Sequence, residues 1–355
     1  MIQMHVVKKD LGSFEQTEVY QIVLENDNHV RVSIMTFGGT ITEISLPDEK
    51  TGLQNIVLSL EKWRDYINNS IYLGANLGPN AGRIRNGYLM IGGKECNLSQ
   101  NDGNHNLHGG FSPISFANWN IEKTEEHGEY VSLTLTTTLK DGQDGYPGER
   151  QITTTYQLDN SDRLTLEYKA VTDKDTYFNL SNHSYFNLSG DFSISGLKQY
   201  LSIEADSYVT NDEEYIPIKF SSVENSPYDF RKPITMEEQV RNYPNIPELN
   251  YSKGYNNGFD IRNAASKGKP ALTLWNNDKT KSLRMFTDAP CVVIYSGGYI
   301  GSSTQLKGGT ISSDSCAIAL EAQDFPNTYE LLNSSYHITG KDETYQRKIA
   351  YEFHY

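Results

Sequence analysis

Apolar and polar residues alternate one by one along much of this chain, and that period of two constrains its fold more than any other feature. "VRVSIMTF" (30–37), "YVSLTLTTTL" (130–139), "ERQITTTYQL" (149–158), "RLTLEYKAV" (163–171), "ALTLWN" (271–276) and "CVVIYSGG" (291–298) carry it, and all are rich in Val, Ile, Thr and Tyr. Successive side chains of a strand point to opposite faces, and β-branched and aromatic residues suit a pleated, half-buried surface, so these segments predict strands. In "YLMIGGKECNL" (88–98) the pair Gly92-Gly93 divides two alternating runs, as a hairpin with a primed two-residue turn requires. Helical periodicity surfaces weakly, around "TMEEQVRNY" (235–243). No compositional break resembles a linker and no repeat of solenoid length occurs. The expectation is an all-β fold, a large antiparallel β-sandwich with few short helices, formed by residues 1–355 as a single domain.

Charge and cysteine usage narrow the function classes. The chain has 31 Lys and Arg against 45 Asp and Glu, a net charge of −14, with no long basic run. That balance argues against nucleic acid or an anionic membrane surface as a partner. Cys96, Cys291 and Cys316 stand far apart without CxxC spacing, so neither a disulfide framework nor a zinc ribbon is implied. The first residues lack an apolar signal segment and no stretch is long and apolar enough to cross a bilayer, which leads to the expectation of a cytoplasmic protein; a monomer or weak homodimer is expected.

Four segments carry residues suited to chemistry. "FNLSNHSYFNLSG" (178–190) places His183 between two copies of Phe-Asn-Leu-Ser. Read as extended, it puts Tyr177, Asn179, Ser181, His183, Tyr185 and Asn187 on one face and Phe178, Leu180, Phe186 and Leu188 on the other, with a bend expected where Asn182 and Ser184 interrupt the apolar side. "CAIALEAQDFP" (316–326) sets Glu321 in line with Ala317 and Ala319, small residues that make an open floor leading to one carboxylate. Desolvation there raises a carboxyl pKa toward the range of a general base at neutral pH. "NDGNHNLHGG" (101–110) holds His105 and His108. A metal site built from this HxxH with His183 or Glu321 is a weak reading, because a loop does not align the two ligands as a helix would. "GRIRNG" (82–87) supplies Arg83 and Arg85, of which one can clamp an oxygen-rich ligand or both can lie on a solvated edge. No glycine-rich loop follows a strand and opens a helix, which argues against a nucleotide cofactor.

Taken together, "TFGGTITEISLPD" (36–48), "GRIRNG" (82–87), "LHGG" (107–110), "DGYPGE" (144–149), "NLSNHSYFNL" (179–188), "SPYDFRKP" (226–233) and "ALEAQDFPN" (319–327) resemble the aldose 1-epimerase (galactose mutarotase) family in order and spacing over nearly the whole chain. The resemblance implies a galactose-mutarotase-like supersandwich, a cleft across one sheet, a small-molecule sugar substrate, and no metal or organic cofactor. It implies that His183 is the general acid and Glu321 the general base that interconvert the α and β anomers of an aldose by ring opening and reclosure. It further implies substrate-binding roles for His108, Arg83 and Asn256.

Three positions depart from the family pattern. "KGYNNGFDI" (253–261) puts Asn256 where the family has a sugar-binding Asp, Gly82 precedes Arg83 where many members have Asn, and Val293 stands where many have Gln. An Asn keeps an acceptor and adds donors but loses the charge. These changes suggest a preferred sugar other than free galactose. Two alternatives remain at this level: an epimerase-like enzyme acting on a phosphorylated hexose or another pyranose, and a non-catalytic carbohydrate-binding relative.

Overall fold

The alternating segments fold mainly into three large antiparallel sheets, beside four two-stranded ones among the described residues, in a computed structural model that describes residues 4–327, 331 and 336–355. The first is a five-stranded meander of His5–Phe14, Thr17–Glu25, Arg31–Met35, Thr40–Asp48 and Gly52–Asn55. The second has nine strands, with Tyr130–Leu139, Arg150–Asp159, Arg163–Thr172, Tyr345–His354 and Ser282–Thr287 adjacent in that order. The third carries the cleft. Its six strands lie in the order Tyr185–Phe186, Ile318–Gln323, Cys291–Tyr295, Asn256–Asp260, Ser207–Asn211 and Pro217–Ser222.

One apolar core joins the three sheets. Ile22, Leu24, Ile34 and Ile44 from the first meet Ile152, Leu164, Leu166 and Ile349 from the second and Val292, Ile294, Ile318 and Leu320 from the third. Burial at about 25 cal/mol per Å² of apolar surface is the main force holding such layers together. The strand Arg150–Asp159 shows the expected alternation, with Ile152, Thr154, Tyr156 and Leu158 buried and Gln151 exposed.

The local signals are met where they were strongest. Tyr88–Ile91 pairs with Lys94–Asn97 around Gly92 and Gly93, whose φ angles of 55° and 76° are those of a primed turn. The weak helical period becomes the helix Met236–Asn242, entered through Thr235, whose hydroxyl accepts from the Glu238 N–H at 3.1 Å. Among the described residues no helix is long and apolar enough to cross a membrane.

The histidine segment departs from a simple two-faced strand. Residues 176–188 are buried on both sides, and pairing is confined to Thr176–Tyr177, Ser181–Asn182 and Tyr185–Phe186. Phe178, Leu180, Phe186 and Leu188 enter the main core as alternation requires. On the opposite, polar side Asn179, Tyr185 and Asn187 hydrogen-bond to backbone of other segments, whereas His183 lines a cavity.

Candidate active site

His183 and Glu321 are brought together by strand register. Tyr185 pairs with Ala319 and Phe186 with Ile318. Continuing that antiparallel register back past the bend sets His183 opposite Glu321, and their Nε2 and Oε1 atoms lie 3.3 Å apart. The two asparagines of the repeated Phe-Asn-Leu-Ser hold the ends of this arrangement. Asn179 Oδ1 accepts from the Asp324 N–H at 2.8 Å, and Asn187 Nδ2 donates to the Cys316 carbonyl at 2.8 Å. The repeat thus brackets the Glu321 strand. Asn179 also donates to the Ala81 carbonyl at 3.1 Å, tying in the loop that leads to Arg83. The backbone of His183 is fixed independently, donating to Ala75 O at 2.9 Å and accepting from the Gly74 N–H at 3.0 Å.

Both members of the pair are buried, and burial penalises their charged forms. Desolvation pushes the Glu321 carboxyl up to about 8, against the opposing pull of the Arg83 charge. Desolvation pushes the His183 imidazole down to about 4. Between those limits the pair holds one proton, which rests on Glu321 while the cleft is empty. Gln323 Nε2 lies 3.4 Å from the second carboxylate oxygen, while its own buried Oε1 has no partner among the described residues.

His108 and Arg83 complete the cleft wall. His108 Nδ1 accepts from the Gly82 N–H at 3.1 Å, and the His108 N–H donates back to Gly82 O at 3.1 Å. A neutral imidazole that accepts at Nδ1 carries its proton on Nε2, so the other nitrogen is a donor. Burial, with the nearby His183 and Arg83 charges, holds His108 well below the usual histidine range and therefore neutral. Arg83 is held by Asp102, with Nε to Oδ2 at 2.7 Å, and its guanidinium lies over the Tyr215 ring at 4.9 Å. Arg85 takes another direction and pairs with Asp212 at 3.3 Å.

These groups line a cavity of about 530 Å³ whose other walls include Tyr72, Tyr185, Tyr295 and Tyr299. Tyr185 is centred 4.8 Å from the His183 ring, and Tyr72 meets His108 edge-on at 4.7 Å. All three altered positions, Gly82, Asn256 and Val293, line the same cavity. All five candidate residues thus meet in one place. His105 does not join them: its Nδ1 accepts from the Asn86 N–H and its Nε2 faces Glu214. Sequence reasoning passed over Tyr72, Tyr215, Asn211 and Asp102 as site residues. Only Asp102 had a signal, its place in the loop that carries His108.

His108, His183 and Glu321 present atoms within 4.8 Å of one another, a spacing a metal ion could bridge. Their chemistry fits one poorly. The lone pair of His108 Nδ1 is taken by the Gly82 N–H, which leaves a protonated Nε2 where a ligand needs a free pair.

Fold and site define a β-sandwich protein with a buried carboxyl–imidazole pair at the floor of an aromatic-walled cleft. The chain belongs to the aldose 1-epimerase family, whose sequence model matches residues 20–352. It is 33% identical to an aldose 1-epimerase of Haemophilus influenzae over 87% of this chain and 88% of that protein. It is 29% identical to the galactose mutarotase of Mus musculus over 85% of this chain and 84% of that protein. The crystal structure of galactose 1-epimerase from Lactobacillus acidophilus superposes with a TM-score of 0.87 at 27% identity, covering 99% of this chain and 98% of that one. The family is one of sugar-directed enzymes of the isomerase type.

Proposed function

We propose that this protein is a mutarotase that interconverts the α and β anomers of an aldose, with residues 1–355 acting as one catalytic domain. The observation that carries the reading is the buried His183–Glu321 pair, 3.3 Å apart on the cleft floor. The anomeric hydroxyl and the ring oxygen are bonded to the same carbon, so an acid and a base that touch one another can reach both. Glu321 as carboxylate takes the proton from the anomeric hydroxyl. The C1–ring-oxygen bond breaks with its electron pair moving to the ring oxygen, which takes the proton from His183. Rotation about C1–C2 and reclosure through the reverse transfers give the other anomer and restore the pair.

Moving the resting proton from Glu321 to His183 creates base and acid together, and the Arg83 charge favours the carboxylate so formed. Each transfer partner contributes on the order of 10²–10⁴ in rate. His108 Nε2–H, Arg83 and Asn256 bind sugar hydroxyls. A phosphorylated substrate is less well served: among the described residues lining the cavity Arg83 is the one Lys or Arg, and it is already paired with Asp102. A pure binding protein has no use for a proton-transfer pair. The test is a polarimetric screen of freshly dissolved aldoses, with parent hexoses, 2-substituted hexoses and reducing disaccharides in separate arms. Acceleration of at least one is expected; no acceleration of any overturns the proposal.

A further inference from the structure

The cross-strand row that contains Glu321 is polar at one end only. Glu321 pairs with Val293, and Val293 pairs with Gly258. Beyond Gly258 lies Val209, since Tyr208 pairs with Phe259. All four line the cavity, so its floor runs carboxyl, isopropyl, bare backbone, isopropyl. A Cβ at Gly258 would stand 3.8 Å from Val293 Cγ2, 3.9 Å from Val209 Cγ2 and 2.8 Å from Cys291 Sγ. The glycine therefore leaves a shallow apolar trough between the two valines. In the adjacent row Asn256 also lines the cavity, and its side-chain amide makes no hydrogen bond among the described residues. An amide offers both a donor and an acceptor.

Strand order fixes which part of a sugar meets this trough. The His183 segment lies on one side of the Glu321 strand and the Val293 strand on the other. On the mutarotase reading, C1 sits at Glu321 with the ring oxygen turned toward His183. The other ring neighbour of C1 is C2, which therefore points toward Val293. From Glu321 the Val293 strand is one spacing away, ~4.8 Å, and the Gly258 strand is the next one beyond it. An acetamido arm is a peptide unit, and it spans about 3.8 Å from ring carbon to methyl. With about 1.5 Å for the C1–C2 bond, its methyl would lie ~5 Å along the row from C1, over Val293 at the near edge of the trough, with the Asn256 amide on the next strand.

We propose that the cleft selects an aldohexose carrying an acetamido group at C2, with Val209, Gly258 and Val293 as the specificity-determining floor. The proposal rests on the mutarotase reading for the direction of C2. A 2-hydroxyl at the same place faces isopropyl groups that cannot hydrogen-bond to it. An apolar pocket of methyl size discriminates by roughly 10- to 200-fold.

The test measures both kcat/KM for anomer exchange and Kd, the latter by calorimetry, for N-acetylglucosamine, glucose and 2-deoxyglucose. The acetamido sugar is expected to exceed glucose by about tenfold or more in both quantities. Gly258→Ala, which fills the trough, should reduce that ratio by about tenfold, and Val293→Gln gives an independent variant should the first fail to fold. Wild-type ratios near one, or 2-deoxyglucose equal to or better than the acetamido sugar, overturn the proposal. Absence of turnover with every sugar would instead count against the mutarotase reading, and the Kd ratio then decides the present one.

Discussion

The strands Arg150–Asp159 and Ile318–Gln323 alternate alike in sequence and meet different fates. In the first, Ile152, Tyr156 and Leu158 enter the core while Gln151 faces solvent. In the second, Ile318, Leu320 and Ala322 enter the same core, but Ala319, Glu321 and Gln323 are buried too, because the His183 segment and the cleft walls cover them. The core faces of the two strands do the same work. Their other faces do not: one is hydrated and indifferent to its side chains, and the other holds a carboxyl group away from water, where its proton affinity rises. A second burial, more than the strand itself, sets the carboxyl-bearing strand apart from a purely structural one.

Substitutions on the four faces separate these roles. Glu321→Gln should have the largest effect, a fall in anomer exchange of on the order of 10²–10⁴ by NMR exchange spectroscopy, with sugar binding kept. It should also change how stability depends on pH. The folded-state pKa of Glu321, about 8, lies above the ordinary value of 4.5, so its protonation favours folding below about pH 4.5 and that contribution is lost as pH rises to 8. Glu321→Gln should therefore gain melting temperature relative to wild type between pH 5 and pH 9. An unchanged difference across that range would show that the carboxyl is not desolvated.

The core faces come next. Leu320→Ala and Ile152→Ala should each cost about 2–5 kcal/mol in denaturant unfolding. Only the first lies on the strand of Glu321, so only it should also lower kcat. Asn187→Ala removes the bond to Cys316 O and leaves a buried acceptor, at a cost of about 1–3 kcal/mol. It should lower kcat more than it raises KM, because it acts on the register between His183 and Glu321 and touches no sugar; a change in KM alone would contradict that positioning role. Gln151→Ala should stay within about 0.5 kcal/mol with activity intact.

Much of this was legible in the sequence. Period two in the 150s and 160s, the Gly92-Gly93 turn and the core side of the Phe-Asn-Leu-Ser repeat all follow from local rules. The meeting of His183 with Glu321 did not, since it depends on pairing between segments 138 residues apart, and alternation specifies a face without specifying a partner. Local rules assign the asparagines of the repeat no role for the same reason. Its asparagines acquire a role only once the Glu321 strand lies between Asn179 and Asn187, with Cys316 and Asp324 as their partners. Tyr72, Tyr215 and Asn211 carried no signal because an aromatic or amide side chain reads alike in a cleft wall and in an ordinary strand. His105 and His108 are three residues apart in one loop, and local rules do not tell them apart; the family resemblance singled out His108, which, locked to Gly82, lines the cleft.

The central claim is that His183 and Glu321 share one proton and pass it through the sugar. It is tested most directly by the pH dependence of kcat/KM for anomer exchange, which reports the ionisations of the free enzyme. On that claim the active form has one proton on the pair. The rate should therefore fall below about pH 4, where His183 gains a second proton, and above about pH 8, where Glu321 loses the last one. A plateau between two such limbs, with the alkaline limb absent from the residual activity of Glu321→Gln, is the predicted result. A rate without an alkaline limb in the wild type, or an alkaline limb that survives in Glu321→Gln, would contradict it.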